Sequence, residues 1–203
     1  MMNVSRASVR EAMRRLEAEK LITIIPNKGP SVAIISWEEA KQIYHVRALL
    51  EGEAAALFAP LATAGDKRRM RQILKAFIKS GEHDSVGRRD AIKRFYEVIL
   101  VGCGNQIIHE LMDGLVARIN FVRFGMSYPG RLHQSAGELQ RILAAIERGD
   151  ARAARAAAIS HVQASCNVAG KVFASRNAAA ADLLFERKQK RRPVRAGDRI
   201  TKA

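Results

Sequence analysis

The chain has 203 residues, of which 48% are apolar, 27% charged and 5% aromatic, and its 35 Lys and Arg against 20 Asp and Glu give a net charge of +15. That composition excludes a globally disordered chain, and scarce aromatics beside abundant Ala disfavour a sheet-built fold; one helical domain with a small appendage suits the length. No run of about 18 apolar residues occurs and no apolar core follows the initial MMNVSRASVR, so neither a membrane span nor an export signal is expected and the protein is predicted to be cytoplasmic.

Near the start, Val9, Met13 and Leu16 recur at helical spacing behind Ser5, whose hydroxyl can cap the first turn. The runs LITII and SVAII flank PNKGP, with Gly29 in the turn, and predict a two-stranded hairpin. Ser36 then precedes Glu39 by three residues, a capping-box spacing that opens a helix with Ile43, Val46, Leu50 and Leu57 on one stripe. A domain boundary is therefore placed at about Ile35. From there only helical periodicity remains, broken at Gly65-Asp66, Gly81 to Gly87, Gly102 to Asn105, Ser127 to Gly130 and Gly149-Asp150. The breaks predict six helices, over residues 37–60, 66–80, 87–101, 105–126, 131–148 and 150–175, the last fraying toward Phe185. Their short connections make neighbours antiparallel, as in a bundle.

Both ends are basic: residues 1–35 carry six basic and three acidic side chains, and 186–203 carry eight and two. The tail ERKQKRRPVRAGDRITKA has no apolar period and reads as disordered, either attracting nucleic acid without sequence preference or serving solubility alone. Cys103 and Cys166 match no zinc or redox spacing and fit free thiols in a reducing compartment. Cys103 in VGCGN precedes a helix start, where a dipole lowers a thiol pKa, but no His with supporting spacing accompanies it. Without paired carboxylates, a nucleophile with its base or a glycine-rich phosphate loop, the chain is not read as an enzyme.

A helix followed directly by a hairpin is the back half of a winged helix-turn-helix, and SRASVREAMRRLEAEKLI with a glycine-tipped wing resembles the GntR superfamily of bacterial regulators. In chain order, SWEEAKQIYHVRALLEGEAAALFA, FYEVILVGCGN and LQRILAAIERGDARAARAAAISHV resemble its FCD branch, the effector domain shared with FadR-like regulators. The resemblance implies a mainly α protein in three parts. Residues 1–35 form a partial winged helix-turn-helix, 36–185 an effector-binding and dimerising antiparallel bundle of about six helices, and 186–203 the basic tail.

In a helix-turn-helix the start of the second helix enters the major groove, where Arg pairs with guanine O6 and N7. The resemblance thus assigns Arg6 and Arg10, one turn apart, to bases or adjacent phosphates, Ser5 and Ser8 to the DNA backbone, and Lys28 at the wing tip to a phosphate or the minor groove. Taken alone, arginines at this spacing also describe a solvated face. In that family about two helices precede the recognition helix and cover its apolar stripe, and here only MMNV stands before it. Uncovered, Val9, Met13 and Leu16 each forgo roughly 1.5 to 3 kcal/mol, so the head is expected to fold poorly. A start assigned too late, a lost 5′ end, or a partner chain supplying the cover would each account for the gap.

Many FCD proteins hold a divalent metal with an Asp and a His one turn apart on one helix and two further His, the later 22 residues after the earlier. Alignment on FYEVIL and AIERGD places these positions at Ile92, Tyr96, Leu139 and His161. Zinc and similar ions need three or four N, O or S donors, so no metal cofactor is expected. Ile92 shares a stripe with Phe95 and Ile99, Leu139 with Ile142 and Ile146, and His161 with Ala158, Ser165 and Val168, so the four should converge on an apolar pocket. There His161 is either a satisfied core histidine or a ligand contact. If a ligand binds, Arg47, Tyr96, Arg118 and His161 are the polar candidates, and an organic acid suits such donors.

The expected function is that of a ligand-responsive regulator binding a palindromic double-stranded DNA operator as a homodimer. The alternative is an effector-binding and dimerisation module whose DNA-binding head is vestigial and which acts through a full-length partner.

Overall fold

The computed structural model describes residues 5–80, 84–123 and 131–190. Within them the order is α1 (Arg6–Ala18), β1 (Ile22–Ile25), β2 (Gly29–Val32), α2 (Trp37–Leu61), α3 (Ala64–Lys79), α4 (Ser85–Gly102), α5 (Gln106–Arg123), α6 (Arg131–Glu147) and α7 (Ala151–Lys190). The fold is mainly α, a helix with a hairpin followed by a helical bundle.

Ser5 caps α1 as the sequence predicts, its Oγ accepting from the Ser8 N–H at 3.1 Å. The hairpin pairs Ile22 with Val32 through Ile25 with Gly29. Its tight turn needs left-handed backbone at Asn27 (φ 63°) and Gly29 (φ 85°), the two residue types that adopt it most readily. The stripe of α1 is thinly covered: Met13 and Leu16 are half-buried, Val9 is 45% exposed, and no α1 residue is buried. Ile35 closes this unit, yet it is buried in the bundle core, so the boundary at 35 is a seam rather than a linker.

The bundle is organised around α2, which packs against α7, α4, α5 and α6, while α7 also packs on α6 and α3 on α4 and α6. Small residues permit the close approach of α2 to α7: a Cβ at Gly52 would stand 2.8 Å from Ile159 Cγ1. Trp37 pins the start of α2 to α7 by packing on Phe173, with ring centroids 5.5 Å apart.

Three expectations need correction. The inward face of α2 is Ala40, Ile43, Tyr44, Arg47, Ala48, Glu51, Ala54, Ala55 and Phe58, not a stripe through Val46, which is 40% exposed. Alanines and an ion pair occupy the interior side, so apolar size misplaces the face. The capping box at Ser36 is half made, because Ser36 Oγ accepts from the Glu39 N–H while the Glu39 carboxylate goes to Arg118. The complete box stands at Thr63 and Asp66, and α3 starts at Ala64, two residues earlier than predicted. Finally α7 continues to Lys190, so residues 186–190, assigned to the tail, are helical; 191–203 lie outside the described residues.

Candidate functional site

Two surfaces emerge from this frame. The first is the N-terminal part of α1 with the hairpin. Arg6 and Arg10 are exposed at the helix start, and among the described residues neither engages a carboxylate. Arg15 on the same helix is held by Glu19 at 3.3 Å. The Ser5 and Ser8 hydroxyls lie 2.9 Å apart, with Ser5 already capping the helix. Lys28 stands exposed in the hairpin turn, its backbone N–H donating to the Ile25 carbonyl at 3.0 Å. A helix start flanked by unpaired guanidinium groups is a surface complementary to phosphate.

The second is a cavity of about 210 Å³ between α2, α4 and α5. Arg47 and Glu51 of α2 form its floor, 1% and 2% exposed, joined by an Arg47 Nε donation to Glu51 Oε1 at 2.8 Å. Burial works against the Arg47 charge, but the Glu51 carboxylate outweighs it and holds the guanidinium above its ordinary value. Ile92 and Tyr96 of α4 and Met112 and Ile119 of α5 supply walls, and Arg89, Lys93, Glu97 and Asp113 also line the cavity.

Behind this cavity, α6 and α7 are tied by a buried polar cluster. Arg131 donates to Glu138 through Nη1 to Oε1 and Nη2 to Oε2, both at 2.9 Å, and Nη2 also donates to Ser165 Oγ at 2.9 Å. His161 Nδ1 lies 2.7 Å from Glu138 Oε2. A carboxylate accepting a bidentate guanidinium is ionised and can only accept, so the proton of this contact resides on His161 Nδ1. Burial pushes the His161 ring below the ordinary 6.5, and Glu138 only partly restores it. Burial alone would raise the Glu138 carboxyl, but the hydrogen bonds from His161 and Arg131 together bring it below its ordinary 4.5.

Both shifts carry the same sign for stability. Below about pH 6.5 the unfolded chain takes a proton at His161 that the folded chain refuses, and below about 4.5 it takes another at Glu138. Stability therefore falls on acidification. We expect the melting temperature to drop between pH 7.5 and 5.5, and to drop less in His161→Gln; an equal drop in both proteins would contradict this assignment.

Of the four ligand candidates, the structure brings Arg47 and Tyr96 to the cavity wall. His161 sits behind Tyr96, ring centroids 5.9 Å apart, and does not line the cavity. Arg118 is directed to Glu39 near the start of α2 instead. Of the positions aligned to the metal site, Ile92 and Tyr96 line the cavity while Leu139 is 1% exposed in the core. Ile92 and Leu139 offer no donor atom, and both oxygens of the neighbouring Glu138 are engaged. Among the described residues no group of three or more His, Cys, Asp or Glu is placed to hold an ion. Cys103 is buried, its Sγ donating to the Leu100 carbonyl at 3.1 Å.

Glu51, Glu138 and Arg131 were missed by sequence reasoning. The available signal was charge inside an otherwise small and apolar stripe: Arg47 and Glu51 one turn apart among alanines, and Glu138 immediately before the aligned position Leu139.

The family model of the FCD domain matches residues 42–164, and that of bacterial regulatory proteins of the gntR family matches 1–32. The chain belongs to the GntR family, in its FCD branch. It is 34% identical over 109 residues to an HTH-type transcriptional regulator in the TAR-I ttuE-ttuC′ intergenic region of Agrobacterium vitis, covering 52% of this chain and 63% of that one. To the HTH-type transcriptional regulator YdhC of Bacillus subtilis it is 25% identical over 169 residues, covering 80% of this chain and 74% of the relative. The solved structure of Escherichia coli McbR/YncC superposes with a TM-score of 0.75 at 19% identity, over 84% of this chain and 87% of that one, a likeness of fold. This FCD-branch chain thus shares its frame with transcriptional regulators, and among its described residues no helix is long and apolar enough to cross a membrane.

Proposed function

We propose that this GntR-family chain is a cytoplasmic regulator that binds a two-fold-symmetric operator as a homodimer and responds to a small metabolite held in the FCD bundle. The observation that carries the DNA part is the exposed start of α1, with Arg6 and Arg10 free of carboxylate partners among the described residues, together with Lys28 exposed in the wing turn. Ser5 and Ser8 take the adjacent backbone phosphates, one hydroxyl each. A second copy supplies the second head, as palindromic operators require. Leu49 of α2 and Ile107 and Leu111 of α5, all more than half exposed, offer apolar surface for that pairing.

A nuclease footprint on the promoter beside the gene tests this reading. The expected result is a protected palindrome with half-sites about 10 base pairs apart or a multiple of that. Absence of any protected sequence would favour the module that works through a partner, a reading supported by the lack of a buried residue in α1.

We further propose that the effector site works without a metal cofactor, because Ile92 and Leu139 stand where donors would be needed. Incubation with EDTA is expected to leave both melting temperature and DNA affinity unchanged. A fall in melting temperature restored by zinc would contradict it.

A further inference from the structure

The floor of the cavity leaves two complementary atoms over. Arg47 spends Nε on Glu51 Oε1, and among the described residues Arg47 Nη1 and Glu51 Oε2 have no hydrogen-bond partner. A guanidinium nitrogen can only donate and a carboxylate oxygen can only accept. Both side chains are at least 98% buried and both line the cavity. A simple carboxylate would satisfy Arg47 but bring a like charge against Glu51, and a simple amine would do the reverse.

The floor is one cation beside one anion, and the lining repeats that balance, with Arg89 and Lys93 set against Glu97 and Asp113. Electrostatic complementarity then selects a neutral molecule carrying both signs close together. The volume of about 210 Å³ falls below the roughly 300 Å³ at which drug-sized pockets begin, and apolar walls from Ile92, Leu100, Met112 and Ile119 favour an aliphatic body.

We propose that this cavity is a site for a small aliphatic amino acid, its carboxylate accepting from Arg47 Nη1 and its ammonium donating to Glu51 Oε2. The proposal rests on the effector-site reading above and narrows it from organic acids in general to zwitterions.

The test is calorimetry and thermal shift on the whole protein with leucine, valine and isoleucine, and with two analogues of leucine: 4-methylpentanoate, which lacks the amine, and isoamylamine, which lacks the carboxylate. At least one amino acid is expected to bind, and loss of either charged group from leucine to weaken binding at least about tenfold. Glu51→Gln should weaken the amino acid by a similar factor while tightening 4-methylpentanoate, whose carboxylate no longer meets a like charge. The double variant Arg47→Met with Glu51→Met removes both buried charges together, so it should fold and bind none of the probes.

No binding by any of the three amino acids, or binding of 4-methylpentanoate as tight as that of leucine, would overturn the proposal. In the latter case an accompanying change in DNA affinity would leave the effector-site reading standing. An amino acid that binds without altering DNA affinity would instead support the zwitterion site and count against its role as effector site.

Discussion

Replacing Glu138 by alanine is expected to lower the unfolding free energy by about 3–5 kcal/mol, read as a shift in urea midpoint. Glu138 is 3% exposed and is the hub at which Arg131, from the first turn of α6, and His161 of α7 meet. Truncation leaves the His161 Nδ1–H without its acceptor and the Arg131 guanidinium without its counter-charge, in surroundings that water reaches poorly. The comparison that isolates the cause is Glu147→Ala. Glu147 pairs with Arg71 at 2.6 Å, shorter than any contact in the cluster, but that pair is solvent-exposed on the Arg71 side. An exposed pair contributes about 0–1 kcal/mol however good its geometry. Burial, not distance, therefore decides the ranking. A loss below about 1 kcal/mol for Glu138→Ala, or one matched by Glu147→Ala, would mean that the cluster does not hold α6 to α7.

The second large effect is expected at the DNA surface. Arg6→Ala and Arg10→Ala should each weaken operator binding by roughly 1 to 3 kcal/mol and relax base preference at the positions they read. Lys28→Ala should weaken binding on all sequences alike and flatten the salt dependence, as loss of a phosphate contact does. Fluorescence anisotropy on operator and single-base variants separates the two behaviours. Neither arginine supports the fold through a carboxylate partner, so their truncation should leave the melting temperature within about half a kcal/mol of equivalent stability. If Arg6→Ala weakened operator and scrambled duplex equally, the arginine would be a phosphate contact and not a base reader.

Most of the fold was legible in the sequence because helix ends are written locally. Gly149 with φ 69° ends α6, Ser5 caps the start of α1, and the PNKGP turn closes the hairpin within one residue type of what left-handed backbone demands. What was not legible was the direction in which α2 faces. Its buried side is marked by small residues and by Arg47 and Glu51, whose desolvation is offset only because they neutralise one another. A reading by hydrophobicity turns such a helix toward its larger apolar residues and sends Val46 inward. The same blindness hid Glu138, since a single carboxylate on a predicted core stripe becomes tolerable only when Arg131 and His161 arrive from other positions in the chain. Tyr96 became a candidate through alignment to a family pocket, while Arg47 and Arg118 were named on chemistry alone; Arg47 lines the cavity and Arg118 is held elsewhere by Glu39.

The central claim, that the exposed start of α1 reads DNA, is tested most directly by measuring the affinity of the whole protein for the promoter beside its gene and for a scrambled duplex across a range of salt concentrations. The account predicts that both affinities fall with salt, because a basic head releases counterions from phosphates, while the promoter stays at least about a thousandfold tighter. Equal affinities for the two duplexes at every salt concentration would contradict it.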